Sequence, residues 1–334
     1  MEPTKVELEV RPFEWTQFNE LCTFLAKWSP DHPELAHVFK WQECDRFVAM
    51  VDNEIVGYIA QIKHPFYYGK DKEGTEQLGF GATLVLKMDD DNIRKKAGRA
   101  LLDKCENNGA KWAGTGMIPA IEKVYERRGH VIRRDCCNMY ARFFNPKKCL
   151  EYIGTAEDVM YAWMIRAWNK IRKIPNDLYG IDTDPHCVGG IDGFDYINID
   201  LAKQYAFYGD RTWQYLCYKI SQPNKKYLWA TSHLDRPDYI IYRESIHPKT
   251  GLKLVRICDI AANEYNKPRL ISVAVKYAES IGADGVVAID AQSDAKYYRR
   301  AGMWIKRAYP ICMPRDIKEK VRITMFDSDL DNLW

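Results

Sequence analysis

Hydrophobic and polar positions along the chain alternate between two periods. Over Trp15–Trp28, apolar Phe18, Leu21, Cys22, Leu25 and Trp28 recur at helical spacing, the pattern of a helix burying one face. Before it, Val6–Val10 reads as a strand. After a proline-containing loop, Arg46–Asp52 and Glu54–Ile62 predict a hairpin turning at Asp52-Asn53. Gly57, inside IVGYIAQI, marks a bend or a close approach to a neighbour. Lys63–Thr75 reads as a loop. Next come an apolar strand, Leu78–Met88, and a basic glycine-containing turn at Ile93–Leu102 that opens a helix to about Asn107, closed by Asn108-Gly109. Lys111–Gly116 is a strand, Ala120–Gly129 a short helix ending at its glycine, and His130–Arg134 and Asn138–Phe144 are strand-like.

Ala156–Ile174 predicts a long amphipathic helix joining two halves, followed by a loop over Pro175–Gly193. The second half then reads as strand Asp195–Ile199, helix Leu201–Ile220 and strands Lys226–Thr231, Asp238–Ser245 and Lys253–Ile260. Helix Arg269–Ile281, strand Gly285–Asp290, helix Ala291–Ala301 and strand Met303–Arg307 complete it. YERRGHVI and YYRRAGMWI are one element twice: Tyr125 and Gly129 recur 173 residues later as Tyr298 and Gly302. NNGAKW and SIGADG are similar turns before the preceding strand. A repeat of this length predicts two domains of one fold. We divide the chain into 1–150, a connecting segment 151–190, and 191–334.

Composition narrows the class. The chain has 334 residues, 46% hydrophobic and 28% charged, enough for two domains of ordinary size. A net charge of +3 does not argue for nucleic acid as a general partner. No apolar run approaches a membrane span, and MEPTKVELEV has no signal core, so the expectation is a cytoplasmic protein without membrane insertion. The ten cysteines form no C-x-x-C pair, so no metal site is expected.

The stretch IRKKAGRALL carries the first chemistry. A turn at a helix N-terminus offers unpaired N–H groups and the positive end of the dipole, a site for pyrophosphate. Gly98 would let phosphates approach the backbone beside Ala97, with Arg94, Lys95, Lys96 and Arg99 adding charge. Strand, phosphate turn and helix, strand, then a tyrosine helix ending in glycine resembles the GNAT N-acyltransferases, on KKAGRALL and VYERRGHVI as they stand. Relative to that family's Q/R-x-x-G-x-G/A pattern, Ile93 and Lys96 replace two key residues.

The resemblance implies a mixed α/β fold of two tandem GNAT-like domains, each a splayed central sheet flanked by helices. It implies acyl-CoA as co-substrate, bound by the first domain, because the second turn, EYNKPRLIS, has Pro268 and no glycine. Tyr125 falls at the family's position for the acid that protonates the departing thiolate; packing is the alternative. Tyr298 reads as structural. Backbone N–H groups near Leu86–Met88 would form the oxyanion hole. His64 and Glu76 are candidate bases for the amine. Cys136 has no recognisable His–Asn/Asp partner, which argues against covalent catalysis.

Residues 226–334 further resemble the second half of tandem-GNAT nucleotide-sugar N-acyltransferases, on NKKYLWATSHLDRPDYIIYRES, ISVAVKYAESIGADGVVAIDA and ITMFDSDLDNLW. This implies a dTDP- or UDP-linked amino sugar as acceptor. Trp229, Tyr239 and Arg243 would contact base or diphosphate, and Asp327, Asp329 and Asp331 the sugar, unless these acids are a solvated tail. Arg256 and Asp259 could instead form a buried ion pair. A protein or small amine as acceptor, a non-catalytic module and, least, an RNA acceptor remain the alternatives. A homodimer is possible.

Overall fold

A computed structural model describes residues 7–30, 43–69, 74–115, 117, 119–152, 159–174, 178, 181, 186–187, 204–223, 225–232, 238–247 and 250–327. The first half contributes β1 (Leu8–Pro12), α1 (Phe18–Trp28), β2 (Asp45–Val51), β3 (Glu54–Tyr68) and β4 (Thr75–Leu86). It continues through α2 (Asp91–Glu106), β5 (Lys111–Thr115), α3 (Pro119–Arg127) and β6 (Val131–Phe143). Helices α4 (Pro146–Tyr152) and α5 (Val159–Ile171) lead into β7 (His186–Cys187), β8 (Phe207–Gly209), α6 (Trp213–Ile220), β9 (Tyr227–Thr231) and β10 (Tyr239–Ile246). The second half ends in β11 (Lys253–Ala261), α7 (Lys267–Ser280), β12 (Gly285–Ala291), α8 (Ala295–Arg300), β13 (Ile305–Met313) and β14 (Val321–Arg322).

The repeat is visible in this order: β4-α2-β5-α3-β6 and β11-α7-β12-α8-β13 are the same unit. Each unit has one parallel pair, β4 with β5 and β11 with β12. The halves then interleave. The strand order is β1-β2-β3-β4-β5-β13-β6-β12-β11-β10-β9-β7, with β8 and β14 paired off this path. Strand β13 lies antiparallel between β5 and β6, and β6 lies antiparallel against β12. Each half therefore supplies the strand that extends the other half's parallel pair.

Helix α2 covers one face of the first half with Ala97, Leu101, Leu102 and Cys105, packed on Phe47, Ala49, Val56 and Ile59. Full burial of a leucine contributes roughly 1.5–3 kcal/mol. On the other face, Val48, Phe66 and Phe80 pack against Phe207, Ile323 and Met325 of the second half. Helix α7 covers the second half with Leu270, Ile271, Ala274 and Val275.

Several elements differ from the sequence reading. Lys63–Tyr68 belongs to β3 rather than to a loop, because Ile62, His64 and Phe66 alternate into the core and a buried histidine hides that pattern. His130–Arg134 and Asn138–Phe144 are one continuous strand, β6. The helix expected over Leu201–Ile220 begins only at Trp213, after β8, with Thr212 as its N-cap. The strand expected at 195–199 lies outside the described residues.

Candidate functional site

The first half's site candidate is the cleft where β4 and β5 part. They pair from Leu78↔Lys111 to Phe80↔Ala113, and β4 then runs on to Leu86. Beyond the pairing, Tyr58 opposes Val85 and Ala60 opposes Ala82, so Thr83 and Leu84 together face Ile59 in a bulge. Thr83 has φ +52°, a left-handed conformation that a β-branched residue rarely adopts. Bulges leave a backbone group unpaired, and strained residues cluster at functional sites. The sequence reading placed these donors at Leu86–Met88; the structure puts the divergence and the bulge earlier, and leaves Met88 exposed.

Tyr125, on α3, stands beside this cleft. Its ring lies 6.0 Å from that of Trp112 on β5. A Cβ added at Gly114 would sit 3.8 Å from its Cε2. Burial pushes the Tyr125 hydroxyl well above the usual range, so it keeps its proton at neutral pH. Gly129 ends the helix with φ +94° and Gly302 ends α8 with φ +87°, as the paired motifs predict.

The phosphate turn is not where the sequence put it. Helix α2 begins at Asp91, so Ala97 and Gly98 are buried in its interior. A Cβ on Gly98 would come within 3.0 Å of Leu86 Cδ1, so this glycine allows close packing of helix on strand. At the true N-terminus Asp90 accepts from the N–H groups of Asn92 and Ile93, at 2.8 and 3.0 Å. The protein's own carboxylate therefore fills the anion position. Arg94 pairs with Asp91 at 2.6 Å and Lys95 reaches it at 3.6 Å, while Lys96 and Arg99 are exposed along the helix.

Neither candidate base lies at the cleft. Glu76 and the partner of His64 in the pairing, Leu78, lie at the start of β4. At about 3.3 Å per residue, Leu78 is roughly 17 Å from Thr83. Glu76 pairs with Lys111 at 2.9 Å. His64 is buried, with Nε2 3.1 Å from Asp327 and its ring stacked on Tyr215 at 4.3 Å. Burial keeps the imidazole neutral, outweighing the pull of Asp327. Its Nε2–H then donates to the carboxylate, and Nδ1 is the acceptor. His64 lines a cavity of about 410 Å³ with Glu43, Asp210, Thr212 and Tyr218. This cavity lies along β3 between the end of its pairing with β2, at Gln61, and the start of its pairing with β8, at Phe66.

The second half has the same cleft, filled by its own side chains. Strands β11 and β12 pair as far as Ile257↔Ala288, and Cys258 forms a bulge. Past that point Arg322 spans the gap: Nε donates to Asp290 on β12 at 2.7 Å, and Nη2 to the Ile260 carbonyl on β11 at 2.5 Å. Lys267, at the start of α7, lies 3.6 Å from Asp290, pairs with Asp294 and donates to the Tyr205 hydroxyl at 2.6 Å. Tyr298 donates to Asp290 at 3.0 Å. Arg211 sits 2.9 Å from Asp259 and donates twice to Asp327, both at 2.7 Å. Burial opposes ionisation of Asp290 and Asp327, but the arginines more than offset it and hold both carboxyls below the usual range.

This network absorbs residues assigned from sequence to the acceptor. Asp327 is buried with both oxygens occupied, neither a solvated tail nor open to a sugar. Tyr239 is buried, its hydroxyl donating to Asp259 at 2.7 Å. Arg243 is buried on β10 and donates to the Glu244 carbonyl at 3.1 Å, and Trp229 is half-buried on β9. Asp329 and Asp331 lie outside the described residues. Asp259 pairs with Arg211, while Arg256 Nε donates to Ser245 at 3.0 Å. Sequence reading missed Arg211, Lys267, Asp290 and Arg322. The available signal was a lone charge within an apolar run, as in VVAIDA and VRITMF.

No family model matches the sequence, and no curated protein matches it. The fold has clear counterparts among solved structures. A tandem GNAT protein from the clavulanic acid biosynthesis pathway is 9% identical, with 92% of this chain and 97% of that one covered and a TM-score of 0.55. Saccharomyces cerevisiae N-myristoyltransferase, solved with myristoyl-CoA bound, is 10% identical over 93% of this chain and 80% of that one, with a TM-score of 0.59. A GCN5-related N-acetyltransferase from Anabaena variabilis is 12% identical over 91% and 72%, with a TM-score of 0.56. The architecture is the mixed α/β tandem-GNAT fold. At these identities the likeness is one of fold.

Proposed function

We propose that this chain is an acyl-CoA-dependent N-acyltransferase whose first half holds the thioester in the β4–β5 cleft. The observation that carries the reading is the asymmetry between the clefts: the second is occupied by Arg322 and its partners, whereas the first has a bulge at Thr83 and a protonated Tyr125 beside it. The amine nitrogen attacks the thioester carbonyl, whose oxygen takes the negative charge and is met by N–H groups at the bulge. One such donor is typically worth about 3 kcal/mol. As the C–S bond breaks, Tyr125 gives its proton to the sulfur and CoA leaves as the thiol. The amine's proton passes to solvent, which returns one to Tyr125; Glu76, at the start of β4, and His64, opposite Leu78 on β3, lie too far from the bulge to take it.

For the acceptor we propose the amine of a nucleotide-linked amino sugar, on the sequence resemblance of the second half. With Tyr239, Arg243 and Asp327 buried, that sugar would be held by other residues. One observation favours a second reading, a binding module that kept the fold without the chemistry: Asp90 occupies the helix N-terminus that a pyrophosphate would need.

A thermal-shift screen with CoA, acetyl-CoA, dTDP and UDP, paired with an assay of amine-dependent thiol release, separates these. A ligand at 100 times its Kd adds about 2.7 kcal/mol, a shift of a few degrees. Stabilisation by CoA with thiol release supports the enzyme, and added stabilisation by one nucleoside diphosphate supports the sugar acceptor. CoA binding without release for any amine favours the module. No response to CoA overturns the enzyme and leaves the binding module, as the occupied helix N-terminus would predict.

A further inference from the structure

Helix α5 is apolar on two opposite faces. Inward, Ala162 and Ile165 pack with Leu150, Leu252 and Leu254. Polar ties fix its orientation: Asn169 donates to the Phe143 carbonyl at 2.6 Å, Trp304 Nε1 donates to Asn169 at 3.1 Å, and Arg142 donates to the Arg172 carbonyl at 3.0 Å. At 100° per residue, Trp163, Met164 and Ile171 then turn away from the protein, with Trp168 at the edge of that face, its ring 5.8 Å from that of Trp304. Trp163 is 68% exposed, Met164 50% and Ile171 72%. Isolated surface apolar residues are ordinary, but this is a contiguous strip on one helix face.

Charge decides what the strip fits. Arg166, Lys170, Arg172 and Lys173 lie on or just beyond the helix, and Val159–Ile174 contains no Asp or Glu. Arg166 and Lys170 flank the strip on one side by helical angle, and Arg172 lies 5.0 Å over the Trp168 ring on the other. Tryptophan at the apolar boundary and cations at its margins are the features of a helix lying in the plane of an anionic bilayer surface; the two acids of this region, Glu157 and Asp158, precede the helix in the sequence. A protein groove would gain from the same strip and rim only if it were itself edged with acidic residues. No described helix is long and apolar enough to cross a membrane, so the contact is peripheral.

We propose that the outer face of α5 docks the protein on anionic phospholipid surfaces, independently of any acyl transfer. The test is co-sedimentation of the full chain with sucrose-loaded phosphatidylcholine vesicles, with and without about one-third phosphatidylserine, a content that makes the surface negative. Binding is expected on the anionic vesicles, weakened by salt. Each cation near such a surface adds about five-fold to partitioning, so Arg166→Glu with Lys170→Glu should lower it at least 25-fold. Trp163→Ser with Ile171→Ser should also abolish sedimentation while leaving the melting temperature unchanged, because both side chains are exposed. No binding to anionic vesicles overturns the proposal, as does binding that survives both double variants. So does a concentration-dependent dimer that Trp163→Ser with Ile171→Ser dissociates, which would assign the face to a second copy of the chain.

Discussion

The two halves contain the same cleft and treat it oppositely. In the first, β4 and β5 part after Phe80 and Ala113, and neutral groups surround the opening: Gly114, Trp112, Tyr125 and the bulged Thr83. In the second, β11 and β12 part after Ile257 and Ala288, and the opening is bridged by Arg322, Asp290, Asp259 and Lys267. Splayed strands leave backbone carbonyls and a gap to satisfy. Arg322 does both, reaching the Ile260 carbonyl and Asp290 together. The tyrosines follow suit. Both pack on aromatic rings, Tyr298 on Tyr140 and Tyr125 beside Trp112 and His130, but Tyr298 is also tied to Asp290.

Exchanging the roles of these tyrosines gives the largest expected difference. Tyr125→Phe should lower turnover with acyl-CoA and amine by roughly 10²–10⁴-fold, up to about 5.5 kcal/mol in barrier, with little loss of stability. Tyr298→Phe should leave turnover intact and cost about 1–3 kcal/mol, because Asp290 loses a buried donor. Steady-state rates and urea unfolding of both variants decide the matter; equal rates would remove Tyr125 from the chemistry.

Next is the bridge itself. Arg322→Ala leaves Asp290 and Asp259 buried beside a void, and about 3–5 kcal/mol of stability should be lost. Replacing Arg322 by Met together with Asp290 by Leu removes both charges and should recover much of that loss. If the single substitution is tolerated within about 1 kcal/mol, the second cleft is not held by its charges.

How far these features were legible in the sequence follows from how local each one is. The repeat placed Tyr125 against Tyr298, and both terminal glycines adopt positive φ. The hairpin at Asp52-Asn53, with φ of +49° and +65°, was legible for the same reason. The exchange of β6 and β13 joins residues far apart in the chain, and no local period encodes it. The start of α2 was not legible from KKAGR, whose glycine and cations have the composition of a phosphate turn, whereas the N-cap is Asp90. Asp327 read as a sugar contact or part of a solvated tail because its partners, Arg211 and His64, come from elsewhere in the chain.

Asp90 gives a smaller, sharper test of the first cleft. Asp90→Ala removes the cap and should cost about 1 kcal/mol of stability. It also clears the N-terminus of α2 of a carboxylate, an effect of roughly 0.3–1 kcal/mol there. If pyrophosphate binds at that end, CoA affinity measured by calorimetry should rise up to about five-fold. An unchanged or weaker affinity would place the phosphates elsewhere.

The smallest effect is expected where the halves meet, at His64. Its imidazole is held neutral by burial, with Arg211 and Lys219 opposing protonation and Asp327 favouring it. The folded-state pKa therefore lies below the unfolded value of about 6.5. In the window beneath 6.5 the unfolded chain binds the extra proton, so stability is full above that pH and declines as pH falls through it. Asp327 and Asp290 act in the same direction but later, because their depressed pKa values make their contribution fade only below about 3.8. The urea midpoint of the wild-type chain should thus fall between pH 7 and 5. In His64→Gln, whose amide can still donate to Asp327 but does not titrate, part of that slope should vanish while the acid limb below pH 4 remains. Parallel curves for the two proteins would mean that His64 takes up its proton in place, pairing with Asp327 as a cation. The seam between the halves would then be ionic throughout, rather than a neutral histidine set against a charged network.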